Sequence, residues 1–280
     1  MDLHDLRDAR SQAASRGLGS PSAIEEAAAA HELLLSVPVE HLLVATDFSP
    51  GGRRAVARAL ERGKALGAQV TLLHVVEEAL PRGLARQRRE EALWRLAEQA
   101  RSLGRGATHD VSFNVRAGEP GLEILREAIE LGSDAIVLGL GDRCAHLEAP
   151  ASTVMDVVRC GDRPVLMVAG PPSTPYRRAV VHADPLADIA STERAARRLA
   201  PQVETHLVPS PAAVAAGMLS AARVAPRVGA AVLLDCVRRV GADLLVVDAD
   251  GLQHDDHDPR LLLRHVGKSA LCDLLLARDR

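Results

Sequence analysis

The chain has 280 residues, 47% of them hydrophobic, enough for two domains of ordinary size with apolar cores. Its 34 Lys and Arg against 37 Asp and Glu leave a net charge of −3, which argues against the large clustered positive surface that sequence-independent nucleic-acid binding needs. The only Phe, Tyr and Trp residues are Phe48, Trp94, Phe113 and Tyr176, so a base-stacking platform for single strands is excluded as well. No apolar run approaches the roughly 18 residues of a bilayer span. The opening Met1–Leu6 segment is polar and predicts no leader. Cys144, Cys160, Cys236 and Cys272 lie far apart with no CxxC pair, which predicts reduced thiols. The expectation is a soluble cytoplasmic protein with no membrane and no nucleic-acid partner.

Residues 1–40 read as a helical extension. Ser22 and Glu25 have the spacing of a capping box, and the helix runs through Leu33, Leu34 and Leu35 to stop near Pro38. A packing arm and a partner-binding helix are both open for it. From 41 to 169 the chain alternates strand and helix. Strand 42–46 precedes helix 51–66, strand 69–76 precedes a helix near 86–103, and a strand at Val111 to Val115 leads to a helix ending near Leu131. Strand 135–138 then precedes a helix from about Ser152 to Cys160, and Val165–Val168 closes the block. Near-continuous apolar strands between amphipathic helices predict a parallel sheet covered on both faces, with right-handed crossovers. Residues 170–176 form a Pro-rich linker.

Past the linker the pattern restarts over 177–280. Gly132–Leu138 is echoed by Gly241–Val247, and Leu43–Asp47 by Val180–Asp184. The second echo lies further along the chain from its original than the first does. The second copy is therefore shorter between its first and fourth strands, by about one helix and its flanking loop. Its closing strand is expected at Leu274–Leu276, as far after Val165 as Gly241 is after Gly132. Both closing strands are short and apolar, and a sheet edge of that kind invites pairing.

Five segments of the first block occur in the order and spacing of a known family: Leu43–Pro50 (LVATDFSP), Leu72–Glu77 (LLHVVE), Val115–Pro120 (VRAGEP), Ser133–Gly139 (SDAIVLG) and Arg163–Val168 (RPVLMV). As a set they resemble a universal stress protein domain over 41–169, and 177–280 is similar but eroded. The whole is similar to a tandem universal stress protein. That resemblance implies an α/β fold of two tandem doubly wound, five-stranded parallel-sheet domains (Rossmann-like, adenine nucleotide alpha hydrolase-like), paired through their closing strands. The short linker and the apolar closing strands favour an internal pseudo-dimer over a homodimer between chains. The resemblance also implies a non-catalytic stress-response role. Some members bind ATP and others bind no nucleotide.

Binding members carry Gly-x2-Gly-x9-Gly followed by Ser or Thr after the fourth strand. Here Gly139 and Gly141 are one residue closer than that pattern, Ala151 stands at the third glycine, and Ser152 and Thr153 follow. Glycines let backbone amides approach a phosphate at a helix N-terminus, so Ala151 adds a Cβ at the place of closest approach. Asp142 and Glu148 add negative charge, which Arg143 offsets in part. Ser152 and Thr153 keep the capping and phosphate hydroxyls. By the same resemblance Asp47 helps hold the adenosine part, and Val75 and Val76 wall the adenine pocket. Read from the residues alone, Asp47 is equally a strand-end carboxylate capping the next helix, and the two valines are equally core.

The corresponding second-half loop begins with Asp248 and carries acids and imidazoles from Asp250 to Asp258, which repel a triphosphate. His254, His257 and their neighbouring aspartates are metal-ligand types, but a solvated acidic loop is the commoner meaning, and no metal is assigned. His74 and His182, on apolar strands, are expected to be satisfied core histidines. A signalling receiver domain would need two acids after the first strand and a lysine after the fifth. Thr46–Asp47 gives one acid and Val168–Gly170 no lysine. Two functions stay in contention: a stress protein whose first domain takes ATP or another adenine nucleotide, and a ligand-free dimerisation or scaffold module.

Overall fold

The computed structural model describes residues 38–76, 82–103, 110–140, 152–170, 175–183, 189–209, 229–249 and 259–278. The anticipated N-terminal helix and the acidic His254–Asp258 loop lie outside them. Residues 39–280 form one compact unit. Its strands are β1 His41–Ala45, β2 Gln69–Val76, β3 Val111–Ala117, β4 Ala135–Gly139, β5 Val165–Val168, β6 Arg178–Ala183, β7 Glu204–Pro209, β8 Leu244–Asp248 and β9 Asp273–Ala277. Its helices are α1 Pro50–Leu66, α2 Arg82–Leu103, α3 Pro120–Glu130, α4 Ser152–Cys160, α5 Ile189–Leu199, α6 Ala230–Val240 and α7 Pro259–Ser269.

Local chemistry sets the helix ends. The Ser49 side chain accepts from Gly52 N at 3.1 Å, Pro50 opens α1, and Gly67 closes it at φ 69°. Helix α2 starts at Arg82, earlier than its apolar pattern suggests. Residues 83–91 are almost all exposed, so its first turns present no apolar stripe to read.

Among the described residues nine strands form a single sheet in the order β3-β2-β1-β4-β5-β9-β8-β6-β7. The expected arrangement is two five-stranded parallel sheets paired through their closing strands; the first half supplies five strands, and the join is the β5–β9 pair. All pairs are parallel except β5 with β9, which is antiparallel. Among the described residues the second half contributes four strands. A fifth would fall between β7 and α6, the stretch in which the second copy is the shorter.

The register recurs between the halves. Leu42 pairs with Ala135 as Ala179 does with Leu244, and Ile136 pairs with Val165 as Leu245 does with Leu274. The strand-entry acid recurs as well. Asp134 Oδ2 accepts from Glu40 N and His41 N at 2.8 and 3.1 Å, and the Asp243 carboxylate accepts from Arg177 N and Arg178 N at 2.9 and 3.2 Å. At the seam Leu166 faces Leu275, flanked by Val165–Leu276 and Met167–Leu274. Val165 corresponds to Leu274 in the other half, and Met167 to Leu276. Exchanging the halves therefore exchanges the two flanking pairs, which places a local twofold relation between Leu166 and Leu275.

Alternation along the strands divides the core in two. Leu43, Ile136, Met167, Leu245 and Leu274 pack with α3, α4, α6 and α7 on one face. Leu42, Val137, Leu166, Val246 and Leu275 pack with α1, α2 and α5 on the other. Each cluster runs through both halves, so the halves share one interior.

Candidate functional site

Open α/β sheets bind ligands beyond the carboxyl ends of strands where the strand order reverses. In the first half that point lies between β1 and β4. Asp47 follows β1, Val75 and Val76 end β2, Gly139 ends β4, and Ser152 and Thr153 open α4. Gly141 and Ala151 lie outside the described residues.

The β1–α1 turn is tightly built. Asp47 is exposed and its Oδ1 accepts from Ser49 N at 2.9 Å, while Thr46 Oγ1 accepts from Phe48 N at 3.1 Å. This makes Asp47 the acid of a short side-chain turn leading into the helix. A Cβ at Gly52 would lie 2.6 Å from Thr46 Oγ1 and 2.8 Å from Asp47 Oδ1, so any side chain there would displace both turn acceptors. Gly139 is more constrained still, since its Cβ would lie 2.2 Å from Gly51 O. Asp47 and Gly139 thus flank the Gly51–Gly52 entrance to α1. Leu140, the first residue of the glycine loop, is held from both sides: its N donates to Val168 O at 2.8 Å, and its O accepts from Arg54 Nη2 at 2.9 Å.

The two valines part company. Val75 packs against the core on the α3 and α4 face, Val76 against the core on the α1 and α2 face. Their side chains face opposite sides of the sheet.

Sequence reasoning missed a group beside Asp47. Phe48 has a left-handed backbone (φ 62°), uncommon and costly for a bulky residue. Its ring centroid lies 4.5 Å from that of His74, and the Arg95 guanidinium carbon lies 3.9 Å from its centroid. His74 is half-buried and its Nδ1–H donates to Thr46 O at 2.7 Å. Burial lowers its pKa below the usual histidine value, and nearby Arg95 pushes the same way, against the hydrogen bond and Asp47. Of these residues only His74 carried a sequence signal, as the polar member of an apolar strand. Arg95 comes from α2, with α1 and β2 lying between it and Phe48 along the chain. The edge therefore offers an exposed carboxylate, a helix N-terminus, a tilted Phe48–His74 ring pair and the guanidiniums of Arg54 and Arg95. That set suits holding a polar ligand.

The second-half edge differs. Asp248, only 8% exposed, ends β8 at the position matching Gly139. His182 is buried and its Nδ1–H donates to Val208 O at 2.9 Å. Among the described residues no group of three His, Cys, Asp or Glu side chains is placed to hold a metal, and no helix is long and apolar enough to cross a membrane.

Residues 38–169 match the universal stress protein family. No curated protein matches the chain. Among solved structures, a hypothetical protein, PH0823, is 32% identical over 46% of this chain and 94% of its own, with TM-score 0.39. A universal stress protein from Archaeoglobus fulgidus DSM 4304 is 14% identical over 87% of this chain and 98% of its own, with TM-score 0.56. A functionally unknown protein, PA1789, from Pseudomonas aeruginosa PAO1 is 15% identical over 88% of this chain and 94% of its own, with TM-score 0.54. The latter two share the fold across both halves. The first half of the chain, residues 38–169, is a universal stress protein domain.

Proposed function

We propose that the protein is a non-catalytic, cytoplasmic stress-response protein whose first half binds ATP or another adenine nucleotide at the β1–β4 edge. In this reading Asp47 holds the adenosine part, one of Val75 and Val76 lines the base, and the loop from Gly139 through Gly141 and Ala151 to Ser152 and Thr153 receives the phosphates. The observation that carries it is the convergence of Asp47 and Gly139 on the N-terminus of α1 at the point where strand order reverses. The second half is an eroded copy of the same domain. It pairs with the first as an internal pseudo-dimer and binds no nucleotide, with Asp248 standing where the loop glycine is needed. The matching registers and the antiparallel β5–β9 seam support that relation.

A ligand-free scaffold is the second reading, and one observation favours it. Gly139 is already required for packing against Gly51 O, whether or not a phosphate ever approaches. Acid extraction of the purified chain followed by nucleotide chromatography, and titration with trinitrophenyl-ATP, decide between the two. The nucleotide reading expects saturable binding at micromolar to millimolar probe that weakens about tenfold in Asp47→Ala, the loss of one charge-assisted hydrogen bond. Neither carried-over nucleotide nor saturation leaves the scaffold.

A further inference from the structure

We infer that the second half braces the first-half site, with Asp273 and Arg278, at the two ends of β9, as its positioning residues. The inference rests on the nucleotide reading for what the site holds. The brace itself rests on contacts between the halves.

Asp273 is 2% exposed and gathers four donors. Its Oδ2 accepts from Arg58 Nε at 3.0 Å and from Tyr176 OH at 2.6 Å, and its Oδ1 from Ala169 N at 3.0 Å and Gly170 N at 3.3 Å. Arg58 belongs to α1, the helix whose N-terminus meets Asp47 and Gly139. Ala169 follows Val168, whose carbonyl holds Leu140 N at the start of the glycine loop. One carboxylate of the second half thus fixes both walls of the candidate crevice. At the far end of β9, Arg278 Nη2 donates to Val158 O at 2.6 Å and Nη1 to Gly161 O, which covers the carboxyl end of α4. A cation is favourable at that end of a helix, and the opposite end of α4 is where Ser152 and Thr153 would meet phosphate.

The brace runs one way. With Leu274 matched to Val165, Asp273 falls on Pro164 and Arg278 on Ala169. With Val180 matched to Leu43, Ala195 falls on Arg58. None of the three counterparts can make the reciprocal contact through a polar side chain. A repeated fold element would show these ties twice. Among the described residues these ties all run toward the first-half edge. A third tie runs the same way, from Arg198 Nη2 to Asp134 Oδ1 at 3.1 Å, and Asp134 is the residue that caps the entry to β1.

The test uses the full chain with Arg278→Met, which keeps the aliphatic stem and removes both donors, and Arg278→Lys, which restores one. Hydrogen exchange of peptides covering 152–160 and 244–248 is read beside trinitrophenyl-ATP titration. The brace expects exchange over 152–160 to quicken about tenfold in Arg278→Met with 244–248 unchanged, partial recovery in Arg278→Lys, and affinity for the probe to fall about fivefold. Unchanged exchange over 152–160, equal quickening in both halves, or unaltered affinity overturns it. If the wild-type chain takes no probe, the nucleotide reading falls, and the exchange pattern alone then decides whether α4 is braced.

Discussion

The two halves agree along their strands and disagree at the strand ends. Leu42–Ala135 and Ala179–Leu244 occupy the same register, and the entry acids Asp134 and Asp243 make the same bonds. Beyond the carboxyl ends, Gly139 in one half becomes buried Asp248 in the other. Packing in a two-faced sheet constrains every strand residue from both sides, whereas the strand ends answer to fewer neighbours: Gly139 meets the Gly51 backbone on one side only. The frame is thus repeated between the halves and the strand ends are not.

The largest test of this comparison is Asp273→Ala. It leaves Arg58 and the Tyr176 hydroxyl buried without this carboxylate, and removing one member of a buried pair costs about 3–5 kcal/mol. Chemical denaturation should show that loss, and a change under about 1 kcal/mol would mean that the tie contributes no more than an exposed pair does. Gly139→Ala comes next, because its new Cβ meets backbone that cannot rotate away. Overpacking of this kind costs about 1–3 kcal/mol. The mirror substitution Asp248→Gly should not be stabilising in return, and if it is, the two edges are less different than their sequences. Ser49→Ala removes the α1 cap for about 1 kcal/mol. Gly229, which caps α6 without a side chain, should gain a few tenths of a kcal/mol on change to Ser.

The smallest effect concerns pH. His41 bonds Ser133 Oγ and Thr71 Oγ1 at 2.9 and 2.8 Å, and burial holds its pKa below the ordinary 6.5, as it does for His74. The folded chain therefore takes up protons less readily than the unfolded chain. Stability is complete above pH 6.5 and declines as the pH falls below it. Tm should drop as the pH is lowered below 6.5, and the drop should shrink in His41→Gln. Both histidines lie in the first half, so a comparable drop that survives their replacement would point to the second.

Much of the frame was legible in the sequence because apolar runs and turn residues act locally. Leu42–Val44, Ile136–Leu138 and Val165–Val168 read as buried strands and are buried strands. The echo of Gly132–Leu138 at Gly241–Val247 located β8, and the same spacing from Val165 located β9. What stayed hidden needed distant residues to meet. Asp273 looked like an ordinary acid before an apolar strand, since Arg58 lies 215 residues away. Gly139 could be read only as a loop glycine, since its neighbour in space is Gly51. Phe48 followed a family-like acid, but its left-handed backbone and its place between His74 and Arg95 depend on three elements packing together. The apolar closing strands invited pairing of the halves, but the register of that join was not legible, because a three-residue antiparallel contact leaves no periodic trace.

That contact has a thermodynamic consequence. Three residue pairs between free molecules would come apart on dilution. Here only residues 169–177 separate β5 from β6 along the chain, and a short tether keeps the partners at an effective concentration of about millimolar. The join between β5 and β9 is therefore independent of how much protein the cell makes.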